Sequence, residues 1–358
     1  MKKTIYTMML ATALTGGQAL ADSAYTVVEG NVGYDRPHML AKAYKLSTEK
    51  GDIDGMSLTI RAPEQAEIGR DLSEYKVIVA YREVFTDALH DERGHVKNNS
   101  LVMKGGAVNR LWGAATYARS SAAQGNSVVM SGGTVFDSVV GGYSGWYAAQ
   151  ANQNAVYLVG KGGKATIKGV EYTGSDSGIQ INGAVQAGVS ENADSTSNSL
   201  DIYGTGISAG SIDTKSTQIL NFHIAEAQLS LGSTPMITLA KELDLTNFLI
   251  PTDEAPSPGL ALSFDAMDNM KWKPGASVTL VSDALGITID ETLLNKEYNI
   301  YQNGKPDTVV ATAKLVLEQG QDTTQFLKLV VPGNVPEPTT GTLSLLALAG
   351  LCARRRRK

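Results

Sequence analysis

The sequence predicts an all-β protein built around a right-handed parallel β-helix (a β-solenoid), with β-rich sections on either side. Glycine makes up 37 of the 358 residues, above a usual share of about 7%. Charged residues are 19% of the chain, and short runs of β-forming residues end in tight turns. A degenerate repeat runs through the middle of the chain, and a period of roughly 20 to 50 residues is typical of solenoids.

Each copy of the repeat starts with Asn, continues with four or five β-forming residues and turns at Gly. The copies start at Asn99, Asn126, Asn154 and Asn198, in steps of 27, 28 and 44 residues. Because Asn tolerates the left-handed conformation, we expect it to form the corner that precedes each strand. Alternate residues of a strand share one face. We therefore expect four apolar side chains to point inward: Val128, Met130, Val156 and Leu158.

These patterns divide the chain into five parts. Residues 1–21 are predicted to be a signal peptide and residues 22–97 an N-terminal β section. The solenoid repeats occupy residues 98–250. Residues 251–333 are predicted to form a last β section that caps the open end of the solenoid. Residues 334–358 form a tail.

The first 21 residues have the order of features of a secretory signal. Lys2 and Lys3 precede an uncharged apolar run at residues 5–14, and Ala19 and Ala21 fit the small-x-small cleavage pattern. This interpretation implies a secretion translocon as a partner.

The tail combines three features at the end of the chain. Pro336, Glu337 and Pro338 precede an apolar run at residues 343–353, which is shorter than the roughly 20 residues that span a bilayer. A basic cluster then follows, and its members are Arg354, Arg355, Arg356, Arg357 and Lys358. The tail resembles the PEP-CTERM sorting signal of Gram-negative bacteria. The resemblance implies an exosortase-type sorting enzyme as partner, transient membrane contact by the tail, and a processed product at the outer surface or outside the cell.

The charge of the body argues against nucleic acid as a partner. Seven of the 31 cationic residues and one of the 36 acidic residues lie in the two ends. The body therefore has 24 cationic and 35 acidic residues, a net charge of −11. Such a charge opposes nonspecific binding to nucleic acid. The single cysteine, Cys352, excludes a disulfide framework.

The repeats carry a second resemblance. Residues 125–143 (GNSVVMSGGTVFDSVVGGY) resemble the coil repeat of autotransporter-type passenger adhesins. Residues 218–224, 237–239 and 243–245 resemble the region that closes such a passenger. The resemblance implies an adhesin-type β-helix. The chain departs from autotransporters because it ends in the sorting tail rather than in a membrane barrel.

Few residues suggest chemistry, and no metal site, cofactor or catalytic residue is expected. The His90-to-His95 segment matches no standard zinc spacing, and the loop that begins at Asp52 lacks the bidentate Glu of a calcium loop. Trp112, Trp146 and Tyr143 are candidates for stacking on a sugar ring or on a partner surface. Packing of these aromatics within the body is the interpretation that we favour.

Two functions follow from these observations. The first is a non-enzymatic structural or adhesin-like protein that meets extracellular polysaccharide or a host or matrix surface. The alternative is a secreted β-helix polysaccharide lyase or glycoside hydrolase. Such an enzyme needs clustered acids, and three carboxylates within about 10 Å along one groove would favour it.

Overall fold

The computed structural model describes residues 25–29, 32–46, 49, 51–64, 67, 69–83, 94–118, 121–145, 150–191, 195–230, 234–246, 261–267, 272–320 and 322–333. Over these residues the protein is mostly β, as predicted. It has 31 strands and two five-residue helices, and 23 of the strands join one large, largely parallel sheet.

The strands are short and follow one another closely. The first eight are β1 (Tyr25–Glu29), β2 (Tyr34–Arg36), β3 (Met39–Leu46), β4 (Ile53–Asp54), β5 (Ser57–Arg61), β6 (Arg70–Asp71), β7 (Lys76–Glu83) and β8 (Val96–Lys97). Next come β9 (Ser100–Met103), β10 (Ala107–Val108), β11 (Arg110–Thr116), β12 (Ala123–Gln124), β13 (Ser127–Met130), β14 (Gly133–Val135), β15 (Val139–Ser144), β16 (Ala151–Asn152), β17 (Ala155–Val159), β18 (Lys164–Ile167), β19 (Val170–Thr173) and β20 (Ile179–Ser190). The remainder are β21 (Ser199–Tyr203), β22 (Ile207–Ile212), β23 (Ile219–Ile224), α1 (Glu226–Ser230), β24 (Ile237–Leu239), β25 (Leu243–Asp244), β26 (Ala261–Ala266), β27 (Ser277–Asp283), β28 (Ile287–Thr288), α2 (Glu291–Asn295), β29 (Glu297–Gln302), β30 (Lys305–Gln319) and β31 (Gln325–Val330).

Parallel pairing arranges most of these strands in four rows, each a set of strands lying side by side. Row A runs through β5, β9, β13, β17, β21, β23, β26 and β29. Row B runs through β10, β14, β20, β22, β24 and β27. Row C runs through β3, β7, β11, β15 and β20. Row D runs through β4, β8, β12 and β16.

The register of row A follows the sequence repeat. Val128 pairs with Leu101 on one side and with Val156 on the other, and Met130 pairs with Met103 and Leu158. All of these side chains are buried in one cluster. The expectation that Val128, Met130, Val156 and Leu158 are buried is therefore confirmed, and stacking of like residues supplies the core that one strand cannot build alone.

The Asn that starts each repeat forms a buried ladder of side-chain amides. Asn99 Nδ2 donates to Asn126 Oδ1 at 2.8 Å, Asn126 Nδ2 to Asn154 Oδ1 at 3.0 Å, and Asn154 Nδ2 to Asn198 Oδ1 at 3.1 Å. Each of these oxygens also accepts the backbone N–H of the preceding Asn. Gln218 continues the ladder, since its Oε1 accepts from Asn198 Nδ2 at 2.9 Å.

The expected role of these Asn residues as left-handed corners is wrong. The residue with positive φ is the one immediately before each of them: Asn98 at 55°, Gly125 at 64°, Gln153 at 56° and Ser197 at 58°. The corner thus needs no particular residue type, whereas the next position needs an amide that both donates and accepts.

The pairing becomes antiparallel at both ends of the sheet. β1 pairs antiparallel with β5 and β6, and β2 with β3. At the other end β31 pairs antiparallel with β27 and β30, and β30 with β29. The parallel rows begin at β3, β4 and β5, upstream of Asn98, and continue through β26 and β27.

We predict that Val128→Asp destabilises the fold by about 3 kcal/mol or more, because it buries an unpaired carboxylate. Val128 is fully buried, whereas Val170 in the β18–β19 hairpin is 52% exposed. Val170→Asp is the matched control and should leave the free energy of unfolding within about 0.5 kcal/mol of the wild type. Urea denaturation measures both, and equal midpoints for Val128→Asp and the wild type would contradict the register of row A.

We predict that Asn126→Asp costs at least about 2 kcal/mol, because the carboxylate cannot donate to Asn154 Oδ1 or to the Val96 carbonyl. The control is Asn182→Asp, since Asn182 is exposed and its oxygen only accepts a bond from Gln180. Thermal unfolding at neutral pH compares the two variants. A melting temperature for Asn126→Asp equal to that of the control would mean that the ladder adds no stability.

Candidate functional site

Several sequence candidates lie outside the residues that the structure describes. They are the cleavage residues Ala19 and Ala21, Trp146, the sorting motif Pro336, Glu337 and Pro338, and the basic cluster Arg354, Arg355, Arg356, Arg357 and Lys358. Among the described residues, no helix is long and apolar enough to cross a membrane.

Trp112 and Tyr143, two of the three aromatic candidates, lie against each other. Their ring centroids are 4.8 Å apart and the planes are tilted by 26°. Lys76 covers the Trp112 ring with its ammonium 4.0 Å from the ring centroid. Trp112 is consequently only 7% exposed. This burial agrees with the interpretation that Trp112 packs within the body, and its ring is already in contact with side chains of the protein itself.

The aromatic contacts continue along row C. Tyr143 contacts Tyr117, which contacts Tyr81, which stacks on Tyr44 at 5.8 Å. Parallel register produces this line, because Tyr81 pairs with Tyr44 on β3, and Tyr143 and Tyr81 both pair with Ala115. The hydroxyls at its two ends are hydrogen-bonded to carboxylates, Tyr44 to Glu83 and Tyr143 to Glu191. Burial raises the pKa of Tyr117 and of Tyr143.

The other motifs of the sequence have structural partners. Asp52 and Asp54 both face Lys97, which pairs with Asp52 and lies 3.9 Å from Asp54. The hydrogen bond from Lys97 lowers the pKa of Asp52, and the Lys97 ammonium lies beside both carboxylates of the loop that begins at Asp52. The Nδ1 of His95 accepts the backbone N–H of Ala122.

A cluster that the sequence analysis missed surrounds His223 on row A. β21, β23 and β26 lie side by side, and their register pairs Tyr203 with His223 and His223 with Asp265. His223 Nε2 lies 3.0 Å from Asp201 Oδ1, and its Nδ1 lies 3.3 Å from Asp265 Oδ2 at an angle that makes no hydrogen bond. Tyr203 stacks on the imidazole with a centroid distance of 4.0 Å.

The two carboxylates of the His223 cluster have different surroundings. Asp201 is buried and accepts three hydrogen bonds, from Ser199, Asn221 and His223. Asp265 is partly exposed, and burial raises its pKa although the charge of His223 opposes the rise. Alignment of Gln218 with Asn198 would have predicted the contact between Tyr203 and His223, because it places these two positions side by side.

The described residues contain no group of three or more His, Cys, Asp or Glu side chains that could hold a metal ion. The acids of the repeats are mostly separate from one another. Asp137 pairs with Arg110, Asp213 accepts from Gln186, and Asp176 is 96% exposed near Lys161. Asp201 and Asp265 share His223, so within the described part of the chain this cluster provides two carboxylates.

Comparison with known proteins identifies the sorting motif in the tail. Residues 334–358 match the family model of the PEP-CTERM protein-sorting motif. No curated protein matches the chain. No solved structure matches it. The sorting motif implies an exported protein that an exosortase-type system processes and delivers to the cell surface.

We predict that Asp265→Asn stabilises the protein at neutral pH. The folded-state pKa of Asp265 is raised, so its contribution to stability is complete below the unfolded pKa of about 3.9 and is lost as pH rises through the folded pKa. The neutral amide avoids that loss. Melting temperatures measured from pH 3.5 to 7.5 should show the variant increasingly more stable than the wild type as the pH rises.

Asp176→Asn serves as the control for this experiment, because the Asp176 side chain is almost fully exposed. Its melting curve should follow that of the wild type at every pH. A lower melting temperature for Asp265→Asn than for the wild type at pH 7 would show instead that attraction to His223 dominates at this carboxylate.

Proposed function

We propose that the protein is an exported, non-enzymatic structural or adhesin-like protein of the cell surface or the extracellular space. The match of residues 334–358 to the sorting motif carries this proposal. According to this proposal, a secretion translocon exports the chain. The tail then contacts the membrane transiently, and an exosortase-type enzyme processes it. The body then meets an extracellular polysaccharide or a host or matrix surface.

We further propose that rows A to D are the faces of one right-handed parallel β-solenoid with an adhesin-type architecture. The in-register repeats support this view, since Ser127 pairs with Ser100 and Ala155, and Ala155 pairs with Ser199. The antiparallel strands at both ends support it as well, because they cover edges that would otherwise pair with other chains. An elongated array of this kind offers extended side faces to a partner.

Polysaccharide cleavage is the second candidate, and the His223 cluster is the observation that favours it. Glycosidases use two carboxylates on either side of the scissile bond, and Asp201 and Asp265 lie on either side of His223. Against this role, Asp201 and His223 are each less than 10% exposed, so a sugar has little access to them. Release of reducing ends from polysaccharides by wild type, and its loss in Asp265→Asn, would support the enzyme.

We predict that replacement of Pro336, Glu337 and Pro338 by three alanines leaves the protein unprocessed and associated with the cell. The motif lies beyond the last described strand, β31, so the body should fold as in the wild type. The apolar run and the basic cluster remain and should hold the uncut tail in the inner membrane. Immunoblots of cell and medium fractions, with apparent mass, measure the effect.

Thr339→Ala combined with Thr340→Ala is the matched control, because it changes the adjacent residues and leaves the motif intact. This control should be processed like the wild type. A host without the exosortase-type enzyme should give the wild-type chain the mass and location of the alanine variant. Identical processing of wild type and alanine variant would refute recognition of the motif.

A further inference from the structure

A cavity of about 430 Å³ lies at the start of the row C strands, and it is lined by His38, Glu74, Lys76, Asn109 and Arg110. Its volume is within the range of small-molecule sites, about 300 to 1,000 Å³. Lys76 and Arg110 are the first residues of β7 and β11, and His38 lies in the turn between β2 and β3. Three consecutive row C strands therefore contribute to one cavity.

Two cations face each other at the base of this cavity. Lys76 and Arg110 are direct partners in the parallel register of β7 and β11. Like charges in this position repel each other. Arg110 Nε is paired with Asp137, but no carboxylate of the described residues lies within ion-pair distance of Lys76. The charge of Asp137 acts to raise the pKa of Lys76 and so offsets part of this repulsion, and an anion bound between the two cations would offset more of it.

The surroundings hold the Lys76 ammonium in place. It lies over the Trp112 ring, which Tyr143 supports from below. Burial and then the charge of Arg110 lower the pKa of Lys76. An ammonium that is already partly desolvated and oriented loses less hydration and less freedom when it binds an anion.

The rim of the cavity adds both donors and acceptors. His38 adopts a left-handed conformation with φ of 64°, which is uncommon for a residue other than Gly and is often found at functional sites. Its Nδ1 lies 3.4 Å from Glu74 Oε2. Asn109 contributes a side-chain amide, which both donates and accepts.

We propose that this cavity binds a carboxylate-bearing sugar, that is, a uronic acid unit of an acidic polysaccharide. The carboxylate of the sugar pairs with Lys76 and Arg110, and its hydroxyls donate to Glu74 and to the amide oxygen of Asn109. A bare phosphate satisfies the two cations but has few hydrogens to donate to Glu74 and Asn109, whereas the sugar brings hydroxyl donors together with its carboxylate. The inference rests on the cavity and does not depend on how the tail is processed.

The test is calorimetric titration of protein purified from cells that express the full chain, at low salt. The probes are a glucuronic acid trisaccharide, the methyl ester of the same trisaccharide, and inorganic phosphate. We expect the acid to bind, and the neutral ester and phosphate to bind at least about tenfold more weakly. Absence of binding by the acid at millimolar concentration, or equal binding of the ester or of phosphate, overturns the proposal.

Lys76→Met assigns the binding to the cavity, because Met keeps an apolar stem on Trp112 and removes the charge. We expect at least about a tenfold loss of affinity for the acid. Lys164→Met changes an exposed lysine of the hairpin and should bind like the wild type. If the melting temperature of Lys76→Met falls, Arg110→Gln replaces it as the deciding variant. Unchanged affinity in a folded cavity variant contradicts the proposal.

Discussion

The buried ladder of amides from Asn99 to Gln218 is the constraint on which the rest of the structure depends. Each amide oxygen between Asn126 and Asn198 accepts two bonds from the preceding repeat. Each nitrogen donates to the next side chain and to a backbone carbonyl, as Asn126 does to Val96. A buried amide without partners is costly. A shift of one strand by a single residue would therefore leave several buried groups unbonded.

Apolar packing alone would not fix the register as firmly. The inward side chains of row A, such as Leu101, Val128 and Val156, are similar in size. A shifted register would therefore still pack apolar side chains of similar volume against one another. The ladder fixes which residues of neighbouring strands pair. The same register then determines which outward side chains of row A are neighbours. Register places His223 between Asp201 and Asp265. The same parallel stacking in row C places Lys76 beside Arg110, so both clusters arise from alignment of neighbouring repeats.

The sequence predicted what depends on pattern and missed what depends on contact between repeats. The Asn start and the alternation of Val128 and Met130 predicted the strands and their buried face. The 20-residue step from Asn198 to Gln218 was not recognised, because an amide on a longer side chain replaces Asn there. Because that step was not recognised, the neighbours of His223 were not predicted either. The burial of Trp112 depends on Lys76 and Tyr143, which lie on other strands and come near it only after folding.

The same distinction between sequence pattern and folded contacts applies to the sorting tail and to the surface of the body. The tail matches a linear sorting motif, so Pro336, Glu337 and Pro338 are recognisable from the sequence alone. The contacts of the body depend on side chains that are distant in sequence, since Lys76 and Arg110 are 34 positions apart yet adjacent in register. The ladder can stay fixed while outward residues on the rows change. A single fold of this kind can thus present different surfaces, and the repeat alone does not specify what those surfaces contact.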